Sequence, residues 1–292
     1  MAAHRLVTFT IFLFSAIAAA SQGFAQPPTP PPVAVSTLLI SARAKGPVVL
    51  TVADLEIKED GKPVRIQQVL KMDLPIRYCV LFDVSGSEHF QFKRQQVTAI
   101  QLLEQVIRPK NDLGWFALFS ADSKEGKETD NPNDILNAIA GSKAYGGTAL
   151  YDAIAQCSAR MERAARDVRL RVMFLFTDGD DNQSHITRDG AIRTAMGAGL
   201  RIYAIGSQNE GQRHGSNVLK AFADNTGGDF LTVARPEDIN RIAIEIKEDL
   251  GNVFDVSYET PVGSGDSRKI DVKCFKKGVT LCAPKVVYFR QP

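Results

Sequence analysis

Cysteine and histidine are scarce, with four of each in 292 residues. His89, His185 and His214 stand singly, none with a His or Cys partner at ligand spacing. Each therefore reads as a solvated histidine, and a zinc-type centre is not expected. Charge of one sign is also wanting: 35 Lys and Arg face 33 Asp and Glu, a net charge of +2. No basic cluster stands out, which argues against a nucleic-acid partner. Past residue 20 no apolar run is long enough to span a bilayer, so no stable transmembrane anchor is expected.

The one long apolar run lies at the start. Arg5 supplies a small positive charge, Leu6 to Ala20 is apolar apart from two Thr and one Ser, and small residues follow, with cleavage expected after Ala20 or Ala25. This is the pattern of a secretory signal peptide, assigned to residues 1–25, and it implies an exported protein, periplasmic or secreted. No cysteine sits at the cleavage region, so a lipid anchor is not expected there. Removal of the leader leaves roughly 265 residues, enough for one α/β domain and a smaller appendage.

Three stretches carry chemistry. Tyr78 to Phe82 is an apolar run without polar alternation, the signature of a parallel strand covered on both faces. It ends in Asp83-Val84-Ser85-Gly86-Ser87, one carboxylate and two hydroxyls at alternate positions. In open α/β sheets the carboxyl ends of strands are where ligands sit. Gly146-Gly147-Thr148 places a hydroxyl at the head of an expected helix, and a second apolar strand, Arg171 to Phe176, runs into Thr177-Asp178-Gly179. Two carboxylates and three hydroxyls on three loops form a hard, all-oxygen donor set that suits a magnesium-like ion.

These motifs resemble the metal-ion-dependent adhesion site of von Willebrand factor type A domains, with its Asp-x-Ser-x-Ser, Thr and Asp-Gly elements in order. The resemblance covers roughly residues 74–250. It implies an α/β fold, a doubly wound and mostly parallel sheet with helices on both faces. It also implies metal ligation through Ser85, Ser87 and Thr148, with Asp83 and Asp178 behind them, Mg2+ (or Mn2+ or Ca2+) as the ion, and a protein ligand that offers an Asp or Glu to the metal. Glu59-Asp60-Gly61-Lys62-Pro63 ahead of the first motif is similar to exported A-domain-related proteins of Acidobacteria and other bacteria. Asp180 and Asp181 read as loop caps, and Asp152 as either a first-turn acid or a group behind the metal.

Around the motifs the chain divides into a Pro-rich linker (26–47), an N-terminal β segment (48–73), the A domain (74–251) and a C-terminal β segment (252–292). Leu55 to Ile66 alternates about Asp60-Gly61, a hairpin signal. Helices are expected over 90–107, 148–165, 218–223 and 238–251, and strands over 115–119 and 202–206. The polar stretch 121–133 reads as a loop or short edge strand. Strands at 253–259, 268–275 and 285–289 are expected to join the N-terminal segment in one small β module, because neither could bury a sheet face alone. Cys274 and Cys282 would bridge only if a hairpin set them directly opposite, while Cys79 and Cys157 read as buried thiols.

Three functions fit these residues: a metal-dependent interaction or adhesion module, a structural envelope protein whose metal stabilises a loop, and a magnesium-dependent phosphotransferase with Asp83 as nucleophile. The last lacks a well-placed Lys or Arg to neutralise phosphate charge, and Ser85 stands where a dehalogenase-like phosphatase carries a second Asp, so no enzyme is expected. The ligand and the oligomeric state are not legible.

Overall fold

The structure, a computed structural model, describes residues 33–86, 92–164, 167–207, 213–262 and 267–288. The leader, Ser87 and His89 fall outside them. The chain opens with four strands, β1 (Val33–Arg43), β2 (Leu55–Glu59), β3 (Lys62–Val64) and β4 (Ile66–Met72). It then alternates: β5 (Ile76–Asp83), α1 (Phe92–Val106), β6 (Leu113–Phe119), β7 (Ser123–Glu125), α2 (Pro132–Ala140), α3 (Leu150–Arg163) and β8 (Leu170–Phe176). After these come α4 (Arg188–Gly197), β9 (Arg201–Ser207), α5 (Arg213–Thr226), β10 (Asp229–Val233) and α6 (Asp238–Gly251). The last strands are β11 (Val253–Pro261), β12 (Ser267–Cys274), β13 (Thr280–Cys282) and β14 (Val286–Tyr288).

The central sheet runs β10-β9-β8-β5-β6-β7, parallel except for the short edge strand β7. All eight residues of β5 are buried, the apolar run Tyr78 to Phe82 together with Arg77 and Asp83 at its two ends. Its side chains alternate between two cores. Tyr78, Val80 and Phe82 pack with residues of α1, α2 and α6, whereas Cys79 and Leu81 pack with α3, α4 and α5. From β5 the chain winds one way to β6 and β7, then crosses back to β8 and on to β9 and β10. The crevice at this reversal lies outside the carboxyl ends of β5 and β8, which carry the first and third motifs. The doubly wound sheet with helices on both faces is thus as the residues imply.

Two helices go unread in the sequence. α2 begins at the edge of the polar stretch, with Asn131 accepting from Asn133 N and Pro132 in the first turn, and only Ile135, Leu136 and Ile139 face the core. α4 buries just Ala191, Ile192 and Ala195, too faint a stripe to stand out.

The flanking segments build two further sheets, β13-β1-β11-β4 and β14-β12-β2-β3, which enclose a core that includes Leu38, Ile40, Ile57, Phe254, Val256 and Tyr258. The returning strand β11 lies between β1 and β4, so the two ends of the chain pair directly. The span read as linker reaches too far: residues 33–43 are strand β1, whose Leu38, Ile40 and Ala42 are buried. Its other face carries Val35 and Leu39, so the apolar–polar alternation that marks a half-buried strand is blurred. Asp60 and Gly61, with φ of 49° and 79°, make the hairpin turn whose twist matches the strands. Val48 and Leu50 are buried without joining a strand. Cys274 on β12 pairs with Leu55 of β2, whereas Cys282 on β13 pairs with Ser41 of β1, and all four thiols are free. No helix among the described residues is long and apolar enough to cross a membrane.

Candidate metal centre

Asp83 ends β5 with its side chain fully buried. The loop after it is stitched to both neighbours: Val84 N donates to Phe119 O at 2.8 Å, Tyr145 N to Val84 O at 2.7 Å, and Gly86 N to Gly146 O at 2.9 Å. Ser85 is buried, and its N–H donates to Asp83 Oδ1 at 2.8 Å. Ser87, the third residue of this motif, lies outside the described residues.

The second loop bends through Gly146, with φ of 74°. A side chain at Gly147 would meet Gln183 Nε2 at 2.5 Å, so the side chains of the third loop pack directly onto this glycine. Thr148 is fully buried, its N–H donates to Asn182 Oδ1 at 2.9 Å, and its carbonyl accepts from Asn182 N and Gln183 N. The Thr148 hydroxyl, in contrast, is buried with no hydrogen-bond partner among the described residues. A buried hydroxyl in this state is unusual enough to call for a ligand or a function.

The third loop follows β8. Thr177 Oγ1 donates to Asp83 Oδ2 at 2.6 Å and accepts from Gly179 N at 3.1 Å, while Asp178 Oδ1 accepts from Asp180 N at 3.0 Å. A side chain on Gly215 would lie 2.0 Å from Asp178 O, so the start of α5 packs backbone to backbone against this loop. Thr177 is the contributor that motif reading misses. Register points to it, since Phe82 pairs with Phe176 and the next residues of the two strands are therefore opposite.

Asp152 proves to be a clamp. Its carboxylate accepts from His185 N, Ile186 N and His185 Nδ1, holding the loop after Asp178 against the first turn of α3. The His185 ring is exposed as expected, yet paired. Asp181 Oδ1 accepts from Tyr151 N and from Ser184 Oγ, the capping role read for it.

Burial pushes the Asp83 carboxyl up to about 6, with the negative charge of Asp178 acting the same way and hydrogen bonds from Thr177 and Ser85 acting against it. Burial and Asp178 also raise Asp180. No group of three or more His, Cys, Asp or Glu is poised for a metal among the described residues. Asp83 instead lies beside the Ser85 and Thr177 hydroxyls and within reach of the Asp178 charge, while the loop that carries Thr148 is hydrogen-bonded to the first loop through Gly146 and to the third through Asn182. A hard divalent cation fits such a set: it would offset the repulsion between the acids and give the Thr148 hydroxyl a partner.

A doubly wound sheet whose carboxyl end carries these three loops defines a class of α/β domain. The sequence profile of the von Willebrand factor type A domain matches residues 79–244, and the chain belongs to that family. Among solved structures it is similar to a von Willebrand factor type A protein from Catenulispora acidiphila, at 12% identity and TM-score 0.50, covering 88% of this chain and 74% of that one. It is also similar to the manganese-loaded TRAP protein of Plasmodium vivax, at 15% identity and TM-score 0.49, covering 74% and 96% respectively. The vWF domain of the type V pili tip protein Mfa5 from Porphyromonas gingivalis follows at 12% identity and TM-score 0.48, covering 60% and 96%. At such identities the likeness is one of fold. No curated protein matches the chain.

Proposed function

We propose that this chain is an exported interaction module that binds a divalent cation, Mg2+ by preference, and through it an acidic side chain of a protein partner. Ser85, Ser87 and Thr148 would ligate the ion, with Asp83 and Asp178 behind them. Residues 1–25 would direct export to the periplasm or beyond. The observation that carries this reading is the buried hydroxyl of Thr148, unpartnered among the described residues, in a loop pinned to both others. Neutral hydroxyl ligands leave the cation much of its charge, so an incoming carboxylate is attracted strongly where water is excluded.

Two features weigh against the other functions. The loops are already held by Asp152, Asp181 and Asn182, so a metal is not needed to fix them, which disfavours a purely structural ion. Asp83 is sealed from solvent with both carboxylate oxygens hydrogen-bonded, a poor state for a nucleophile that must reach phosphorus. The test is calorimetric titration of magnesium, with and without acetate as a stand-in carboxylate, into the wild type and Ser85→Ala/Ser87→Ala. Saturable uptake, tighter with acetate and lost in the variant, is expected. Uptake that ignores both acetate and the substitutions would overturn the reading.

A further inference from the structure

On the α2 side of the metal loops lies a cavity of about 450 Å3 between β6 and α2. Phe116, Leu118 and Val84 line it, with Tyr145, Lys124 and Lys143. Val84 stands between Asp83 and Ser85, and its carbonyl accepts the N–H of Tyr145, so this cavity and the candidate metal site share a wall of backbone. Tyr145 is 52% exposed, an aromatic ring left half in water beside the loop. Neither lysine forms an ion pair among the described residues. On the α3 side a smaller cavity of about 270 Å3 is lined instead by Ser120, Asp122, Asp152 and His185.

We propose that the cavity between β6 and α2 receives the residues next to the partner's metal-bound carboxylate: a large apolar side chain accompanied by a second acid. The proposal rests on the metal-dependent reading above and specifies the partner it would select. An apolar side chain removed from water against Phe116, Leu118 and Tyr145 gains the free energy of burial. Two unpaired ammonium groups beside it attract a further carboxylate. Asp122 and Asp152 repel that carboxylate from the opposite side, so the segment lies in one direction across the loops, with its acidic end towards α2.

The experiment is selection of a displayed library of random peptides, each with one fixed glutamate, on the full chain in magnesium, with chelator to release the bound members. The recovered sequences are expected to carry Leu, Ile, Phe or Met and an added Asp or Glu to one side of the fixed glutamate. Ala138→Trp on α2 fills the cavity, and is expected to weaken a recovered peptide by at least roughly tenfold. Lys124→Glu/Lys143→Glu is expected to weaken it by roughly three- to tenfold and to remove the preference for the second acid. A thermal transition in each variant shows that it folds. Chelator-released peptides without these preferences, or indifferent to both variants, overturn the cavity while leaving the metal reading intact. A magnesium-dependent dimer that Ala138→Trp abolishes would make the occupant a second copy and overturn the partner. Loss of all chelator-released binding together with loss of calorimetric magnesium uptake removes the metal reading itself.

Discussion

Thr177 Oγ1 and Asp83 Oδ2 meet at 2.6 Å across adjacent parallel strands, fixing the carboxylate between the first and third loops. Thr177→Val keeps the shape and removes the donor. A hydrogen bond to a buried charged group is worth about 1.5–3 kcal/mol. Urea unfolding should show the variant less stable by about that amount, with magnesium binding weakened because the carboxylate is freed to turn.

Asp83→Asn should act in the opposite sense without metal. The folded carboxyl is raised to about 6 from 3.8. Its favourable contribution is therefore complete below the unfolded value and is lost as pH rises through the folded one. At pH 7 the metal-free wild type carries a penalty on the order of 3 kcal/mol, which the neutral amide avoids. In chelator, then, the variant should be the more stable protein at neutral pH, and the advantage should shrink as pH falls from about 6 to about 4. Magnesium should stabilise the wild type and not the variant.

Asp152 titrates the other way. Burial opposes ionisation, but hydrogen bonds from the side chain and backbone of His185 and from Ile186 prevail and lower its pKa. The clamp is therefore present above the ordinary Asp value and is lost only as pH falls through the lower folded one. Asp152→Ala should cost about 1–2 kcal/mol in thermal or urea unfolding. His185→Ala should cost less than about 0.5 kcal/mol, since the ring is 92% exposed.

Asp249, on the last turn of α6, accepts the hydroxyls of Ser41 and Tyr203 at 2.6 Å each, beside Arg43 at 3.5 Å. It joins strand β1 to the central sheet in a site 1% exposed. Asp249→Ala leaves Arg43 and the buried Arg201 with one fewer counter-charge and takes an acceptor from the Ser41 and Tyr203 hydroxyls. A loss of about 3–5 kcal/mol in a single cooperative transition is expected.

Much of this was legible in the sequence because the governing patterns are local. Tyr78 to Phe82 of β5 read as an apolar run, Asp60-Gly61 read as a turn, and the three oxygen motifs stood at strand ends and helix starts. What was not legible depends on partners distant in sequence. Strand β1 shows apolar residues on both faces, because Leu38 and Ile40 enter the module core while Leu39 packs against the central domain. Asp152 looked ambiguous until the loop at His185 was seen to fold onto it. Thr177 carries no signal until the β5–β8 register is known, and the unpaired state of Thr148 cannot be read from any motif.

The most direct test is thermal unfolding of Thr148→Val beside the wild type, each with chelator and with magnesium. Without metal the variant should melt at or above the wild type, since a buried hydroxyl lacking a partner is replaced by a methyl group of the same shape. With magnesium the wild type should rise and Thr148→Val should not. An equal magnesium shift in both proteins would mean that the hydroxyl does not face the ion, and would contradict the metal centre as assigned.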